Sequence, residues 1–222
     1  MVFGYFNFKV AIIYMDKSHI LCYTLLSKGE IMIYYEVKLE SIPEFLFAYS
    51  VKVQNYSNTF ENRKDFLEFC VIESGSIRCE EENGTISNFV PKTFTTLLSD
   101  INCKTYAIDN EPQTHTTVGV KVKYSYKKQD SKNLTSLALL EKRVKEENII
   151  LVPFFSNLAD EEYLTILSEL KQIIAFAHSP HPYDNIQALS FWFKLCSTIT
   201  KFVLNSLEKN EFLLSPSLQL YI

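Results

Sequence analysis

The sequence predicts an α+β chain, with an antiparallel β-barrel or sandwich over residues 32–128 and a helical segment over 160–210. Three observations carry this prediction. Short β-rich runs recur between Gly, Pro, Asn and Asp turn signals up to residue 128. The stretch Thr116–Tyr126 then alternates Val118, Val120, Val122, Tyr124 and Tyr126 with polar or small residues, which is the period of a strand. Beyond residue 160 the apolar period lengthens to that of a helix, in Tyr163, Ile166, Leu167, Leu170, Ile174 and Ala177.

The elements follow in order. Ile33–Leu39 and Phe45–Val53 are rich in strand-forming residues. Phe66–Ile72 is a nearly continuous apolar run, as a strand buried on both faces would be. Ser74-Gly75 predicts a tight turn into Ser76–Glu80, which would set Cys70 opposite Cys79. Asn83-Gly84 predicts a type I′ hairpin into Thr85–Val90, because that turn needs positive φ at both positions. Pro91-Lys92 turns the chain into Thr93–Leu98, and Ser99–Asn102 turns it into Cys103–Ile108. The last strand runs unbroken over Thr116–Tyr126. Residues 129–159 read as a connector, with a helix over Leu134–Glu147 and an extended run, Asn148–Pro153, held out of helix by its terminal proline. Asn157 or Asp160 caps the next helix, and His178-Ser-Pro-His-Pro182 ends it. A third helix spans about Asp184 to Glu208. It is apolar on more than one side, through Leu189, Trp192, Phe193, Cys196, Ile199, Phe202 and Val203. One side packs on this chain, and the simplest cover for the other is a second copy, so these seven residues are the expected dimer interface.

Composition narrows the function. The 222 residues carry a formal net charge of −4, without the broad basic footprint of a nucleic-acid-binding domain. Lys121, Lys123, Lys127 and Lys128 read as a solvated strand edge. Five cysteines with no CxxC pair indicate free thiols in a reducing compartment. The expected location is the cytoplasm: no apolar run reaches the roughly 18 residues of a membrane helix, and residues 1–15 lack the basic start and cleavage site of a signal peptide.

The order of elements resembles the N-terminal half of AraC-type bacterial transcription regulators. The text that carries the likeness is Phe66-Leu-Glu-Phe-Cys-Val-Ile-Glu-Ser-Gly-Ser76, then Glu82-Asn-Gly-Thr85, then Phe89-Val-Pro-Lys-Thr-Phe-Thr-Thr-Leu-Leu98 and His115-Thr-Thr-Val-Gly-Val-Lys-Val122. Pro91-Lys92-Thr93 departs from the family's Pro-Gly-Asp at that turn. The resemblance implies a cupin-like (jelly-roll) effector-binding barrel and a helical dimerisation segment. It also implies a small-molecule effector, a homodimer, and contact with DNA only through a C-terminal domain absent from this chain. Residues 211–222 read as a truncated linker toward that domain. Residues 1–31 read as a mis-called start: Lys28-Gly-Glu30 is naturally encoded by a string containing a ribosome-binding core, just before Met32.

A metal-dependent cupin enzyme needs an HxH, a Glu and a later His, whereas the strand Phe66–Ile72 has no histidine, so no metal, no cofactor and no enzymatic activity are expected. Glu68 and Cys70 alone make no metal site, and His178 and His181 read as an exposed loop. No nucleophile, base and orienter can be assembled. His115 aligns by position with an effector-contacting histidine of the family. Alternation, however, sets it opposite the valine face, so a bulge is needed to turn it inward. Arg78, Thr96 and Tyr106 complete the expected ligand contacts, since a small apolar pocket needs a few polar groups. A stand-alone binding protein that pairs with an intact paralogue is the alternative reading.

Overall fold

The computed structural model describes residues 31–108 and 111–214, with the side chains of residue 182 and residues 210–214 left aside. The expectation of a mis-called start over residues 1–31 falls almost wholly outside the described residues, as does the expected linker over 211–222 beyond its first four residues, which continue the last helix. Among the described residues the strands are β1 (Ile33–Leu39), β2 (Glu44–Val53), β3 (Ser57–Phe60), β4 (Phe66–Ser74), β5 (Ile77–Glu81), β6 (Ile86–Phe89), β7 (Thr93–Leu98), β8 (Cys103–Ala107), β9 (Gln113–Lys121), β10 (Tyr124–Asp130), β11 (Ile149–Pro153) and β12 (Phe155–Asn157). Three α-helices accompany them: α1 (Leu137–Glu147), α2 (Asp160–Ala177) and α3 (Pro182–Leu214). The fold is a cupin-like antiparallel β-barrel followed by a helical segment. A five-stranded sheet, β12-β7-β4-β9-β2, and a four-stranded sheet, β3-β8-β5-β6, supply its two walls; β10-β1-β11 forms a third, smaller sheet.

Both faces of the five-stranded sheet are buried, and strand register says against what. Phe69 pairs with Thr96 and Val118, so these three share one face. Phe69 stacks on Trp192 of α3 at 6.0 Å, which makes this the helix-facing side. Cys70, Thr95 and Thr117 share the opposite face, toward the barrel interior. This double burial is why Phe66–Ile72 reads as a continuous apolar run.

The helices seal the outer face. On α2, Ile166, Leu170 and Ile173 are buried. On α3, Trp192, Cys196, Ile199 and Val203 are 0–1% exposed and Phe202 is 8% exposed. Thr200 Oγ1 accepts the Leu151 amide of β11 at 3.0 Å. The expected dimer interface is thereby corrected. Five of its seven residues are core of their own chain, because α3 lies between the sheet, α2 and β11 and needs no partner to cover its second side. Leu189 is half-buried, and Phe193 alone of the seven is exposed, at 45%.

Other expectations change as well. The Thr116–Tyr126 strand is two strands. Val122 donates its amide to Asp65 rather than to a ladder, and the chain leaves the five-stranded sheet to pair Tyr124–Asp130 with β1. Residues 129–159 are not a connector, since β11 completes the small sheet and β12 the large one. Cys70 does not oppose Cys79, because the turn at Gly75 joins two different sheets. At Asn83-Gly84 only Gly84 takes a positive φ, of 85°, and its amide donates to Glu81, so the loop is longer than a type I′ turn. Lys92 occupies the left-handed region at φ 69°, a conformation that favours glycine. Neither Asn157 nor Asp160 caps α2. Asn157 accepts from Thr93, and the Glu162 carboxylate reaches back to the Ala159 amide at 2.9 Å. Helix α1 starts three residues later than expected because Ser136 Oγ accepts the Leu139 amide.

Glu36 of β1 is buried and is held by Arg143 of α1 at 2.6 Å and by Gln129 at 2.9 Å. Removing one partner of a buried charge is costly, although the Arg143 side chain is itself 40% exposed and water replaces part of it. Arg143→Met is expected to cost about 2 kcal/mol in urea unfolding at neutral pH. Glu36→Gln in that background should recover most of the loss.

Candidate functional site

A cavity of about 160 Å³ lies between the two walls of the barrel. It is larger than a single-water void and smaller than drug-sized sites of roughly 300–1,000 Å³, so it suits a compact occupant. The five-stranded sheet contributes Phe47 and Tyr49 of β2, Glu68 and Cys70 of β4, and His115 of β9. The opposite wall contributes Asn58 and Phe60 of β3 and Ile77 of β5, with Tyr56 and Arg63 from the loops flanking β3.

His115 lines this cavity without a bulge within β9. Register places it on the face shared by Thr117 and Gly119, and that face, not the valine face, is the barrel interior. The valines are apolar because α2 and α3 cover them. Burial holds the His115 imidazole below its usual pKa, and Nδ1 lies 3.0 Å from Gln113 Oε1. The Tyr49 and Tyr56 rings meet it edge-on at 5.9 and 5.4 Å.

Glu68 is the most informative group that sequence reasoning passed over. It is 6% exposed, and its Oε1 accepts the Thr117 hydroxyl at 2.7 Å. Its Oε2 is buried with no hydrogen-bond partner. Burial pushes its pKa up to about 7, against the opposing pull of the Thr117 hydrogen bond and the Arg63 charge. Arg63 lays its guanidinium over the Phe60 and Phe66 rings at 4.3 and 4.4 Å. Cys70 is half-buried, and desolvation raises its thiol pKa, so it is not a poised nucleophile.

The other expected contacts lie elsewhere, which corrects them. Arg78 is on the outer face of β5, where its Nε donates to Asn88 at 3.2 Å. Tyr106 faces outward from β8 and hydrogen-bonds Glu80. Thr96 is fully buried, but beside Phe69 on the helix-facing side. Strand alternation separates all three from the cavity. Among the described residues, no group of three or more His, Cys, Asp and Glu side chains is arranged to hold a metal ion.

Gly119 shapes the cavity wall. A Cβ there would lie 2.3 Å from the Phe47 ring, which crosses the strand at this point. Gly119→Ala is therefore expected to displace Phe47, to cost about 1–3 kcal/mol and to change the cavity. Combining it with Phe47→Leu should restore most of the stability measured by thermal unfolding.

Among the described residues, no helix is long and apolar enough to cross a membrane. No family model and no curated protein matches the chain. Among solved structures it is similar to ToxT from Vibrio cholerae, with a TM-score of 0.40 and 12% identity over 72% of this chain and 58% of that one. It is also similar to a cupin domain of an XRE-family transcriptional regulator from Enterobacter cloacae, with a TM-score of 0.28 and 14% identity over 39% of this chain and 94% of that one. A conserved double-stranded β-helix protein from Klebsiella pneumoniae has a TM-score of 0.28 and 9% identity, over 51% of this chain and 97% of its own. The present chain thus spans little more than half the length of ToxT.

Proposed function

We propose that this chain is the effector-sensing module of an AraC-type bacterial transcription regulator. It binds a compact small molecule in a metal-free barrel and controls a DNA-binding domain encoded outside these 222 residues. The observation that carries this reading is the cavity between the barrel walls, with a buried Glu68 oxygen that no group among the described residues satisfies. Such an oxygen is costly to bury and is relieved by a bound donor. The effector acts by linkage, through unequal affinity for two arrangements of the attached domain.

The test is thermal unfolding against a set of small polar metabolites. At least one compound should raise the midpoint of the wild-type chain. Ile77→Phe, which fills the cavity, should keep the circular dichroism spectrum and lose the response. A wild-type chain that no compound stabilises would sink the reading.

A second reading gains from the burial of α3. With Trp192, Cys196, Ile199, Phe202 and Val203 inside their own chain, the sequence argument for a homodimer no longer stands on those residues. Support for self-association is then the family resemblance, with Phe193 and its half-buried neighbour Leu189 as its surface. A stand-alone binding protein that meets an intact paralogue is the alternative. Sedimentation equilibrium separates them: a dimer weakened by Phe193→Glu supports the regulator's geometry, and a monomer at every concentration supports the alternative.

A further inference from the structure

Resting on the reading of the barrel as a binding site, we infer that its occupant is a small zwitterion of the α-amino-acid type, with its ammonium on Glu68, its carboxylate on Arg63 and its side chain among the aromatic walls. The cavity presents one acidic and one basic side chain, and among the ion pairs of the described residues none includes either. A lone anion would satisfy Arg63 and leave the Glu68 oxygen unpaired beside it. A lone cation would satisfy Glu68 and face the guanidinium. A zwitterion answers both, and burial opposes a charge on His115.

The rest of the wall fits this partition. The Arg63 guanidinium lies over the Phe60 and Phe66 rings, a contact that restricts it before a carboxylate arrives. Thr117 fixes one Glu68 oxygen and leaves the other without a partner among the described residues. Phe47 and Tyr49 add aromatic surface to the same lining.

Proton linkage gives an independent reading. The empty cavity holds Glu68 near pKa 7, whereas an ammonium beside it favours the carboxylate. Binding below pH 7 therefore releases a proton, and affinity at pH 6 is expected to be about tenfold weaker than at pH 8. The ionisable groups that face Glu68 are Arg63, Tyr49, Tyr56, Cys70 and Cys103. The tyrosines and Cys70 are pushed upward by burial, away from this window; Cys103 is drawn downward by its hydrogen bond with Cys79, so the Glu68→Gln variant is what assigns the pH dependence to Glu68.

The experiment is isothermal titration calorimetry of the full chain with the standard L-amino acids one at a time. Whichever binds is followed by its decarboxylated amine, its deaminated carboxylate, and glycerol as a neutral polyol. The expected result is one-to-one binding by at least one amino acid, with each one-charge analogue weaker by at least about tenfold. Glu68→Gln and Arg63→Met should each weaken the amino acid by a similar factor, and Glu68→Gln should abolish the dependence on pH. If an amine, a carboxylate or glycerol binds as tightly as any amino acid, the zwitterion is overturned while the binding cavity stands. If neither the amino acids nor any metabolite of the thermal screen binds, both fall.

Discussion

Glu68→Gln is expected to stabilise the ligand-free protein by about 2–3 kcal/mol at pH 8 and to leave it nearly unchanged at pH 5. The cause is burial of a carboxyl group between the barrel walls. Unfolded, this group titrates near 4.5; folded, at about 7. Between those values folding takes up a proton. The contribution of Glu68 is therefore most favourable at acid pH, declines as pH rises from about 4.5 to 7, and stays unfavourable above. This is opposite to a salt-bridged carboxylate, whose pKa is depressed. Glutamine mimics the protonated form and accepts the same Thr117 hydroxyl. His115 acts on the other side: its folded pKa is lowered, so its stability contribution, complete above about 6.5, is lost as pH falls further. Comparing the variant with wild type at each pH cancels the histidine and isolates Glu68. Urea midpoints read by circular dichroism across pH 5 to 8 provide the measurement. Parallel curves would show that the cavity solvates the carboxylate fully.

Trp192→Ala is expected to lower stability by about 3–5 kcal/mol without making the loss depend on protein concentration. Trp192 is 0% exposed and stacks on Phe69, between α3 and the five-stranded sheet. Truncation removes the ring and leaves a void that the strand and helix cannot close. Trp192→Phe should cost much less, about 1–2 kcal/mol, because the indole Nε1 is buried without a partner and its removal offsets part of the lost contact. Trp192 is the single tryptophan, so unfolding is again followed by circular dichroism rather than fluorescence. A loss that disappeared on concentrating the protein would return Trp192 to an interface between copies.

Most strand positions were legible from local signals. Ile33–Leu39 and Thr93–Leu98 match β1 and β7, because apolar content and turn residues act over a few positions. The polar β3, Ser-Asn-Thr-Phe, and the short β12 carry too little pattern to be read. Their pairing is set by neighbours far along the chain.

Of the four expected ligand contacts, His115 lines the cavity, with the alternation as expected and the opposite face inward. In an isolated barrel the valine face would be inside. Here the helices bury the valines from outside, and the less apolar face, with Thr117 and Gly119, borders the cavity. Arg78 and Tyr106 look as suitable as Arg63 and Tyr56 by residue type, and only strand phase separates the two pairs. Glu68 was dismissed for lack of metal-binding company, since its significance lies in an unpaired oxygen and no one-dimensional pattern records hydrogen-bond satisfaction. The sequence by itself determined that strands come first and helices last, where most turns fall, and that the last helix must bury more than one side. Only the tertiary structure decided what that helix is buried against, which face of each strand borders the cavity, and which two charges meet there unpaired. Periodicity states that a face is covered; the identity of the cover depends on contacts between residues distant in the chain.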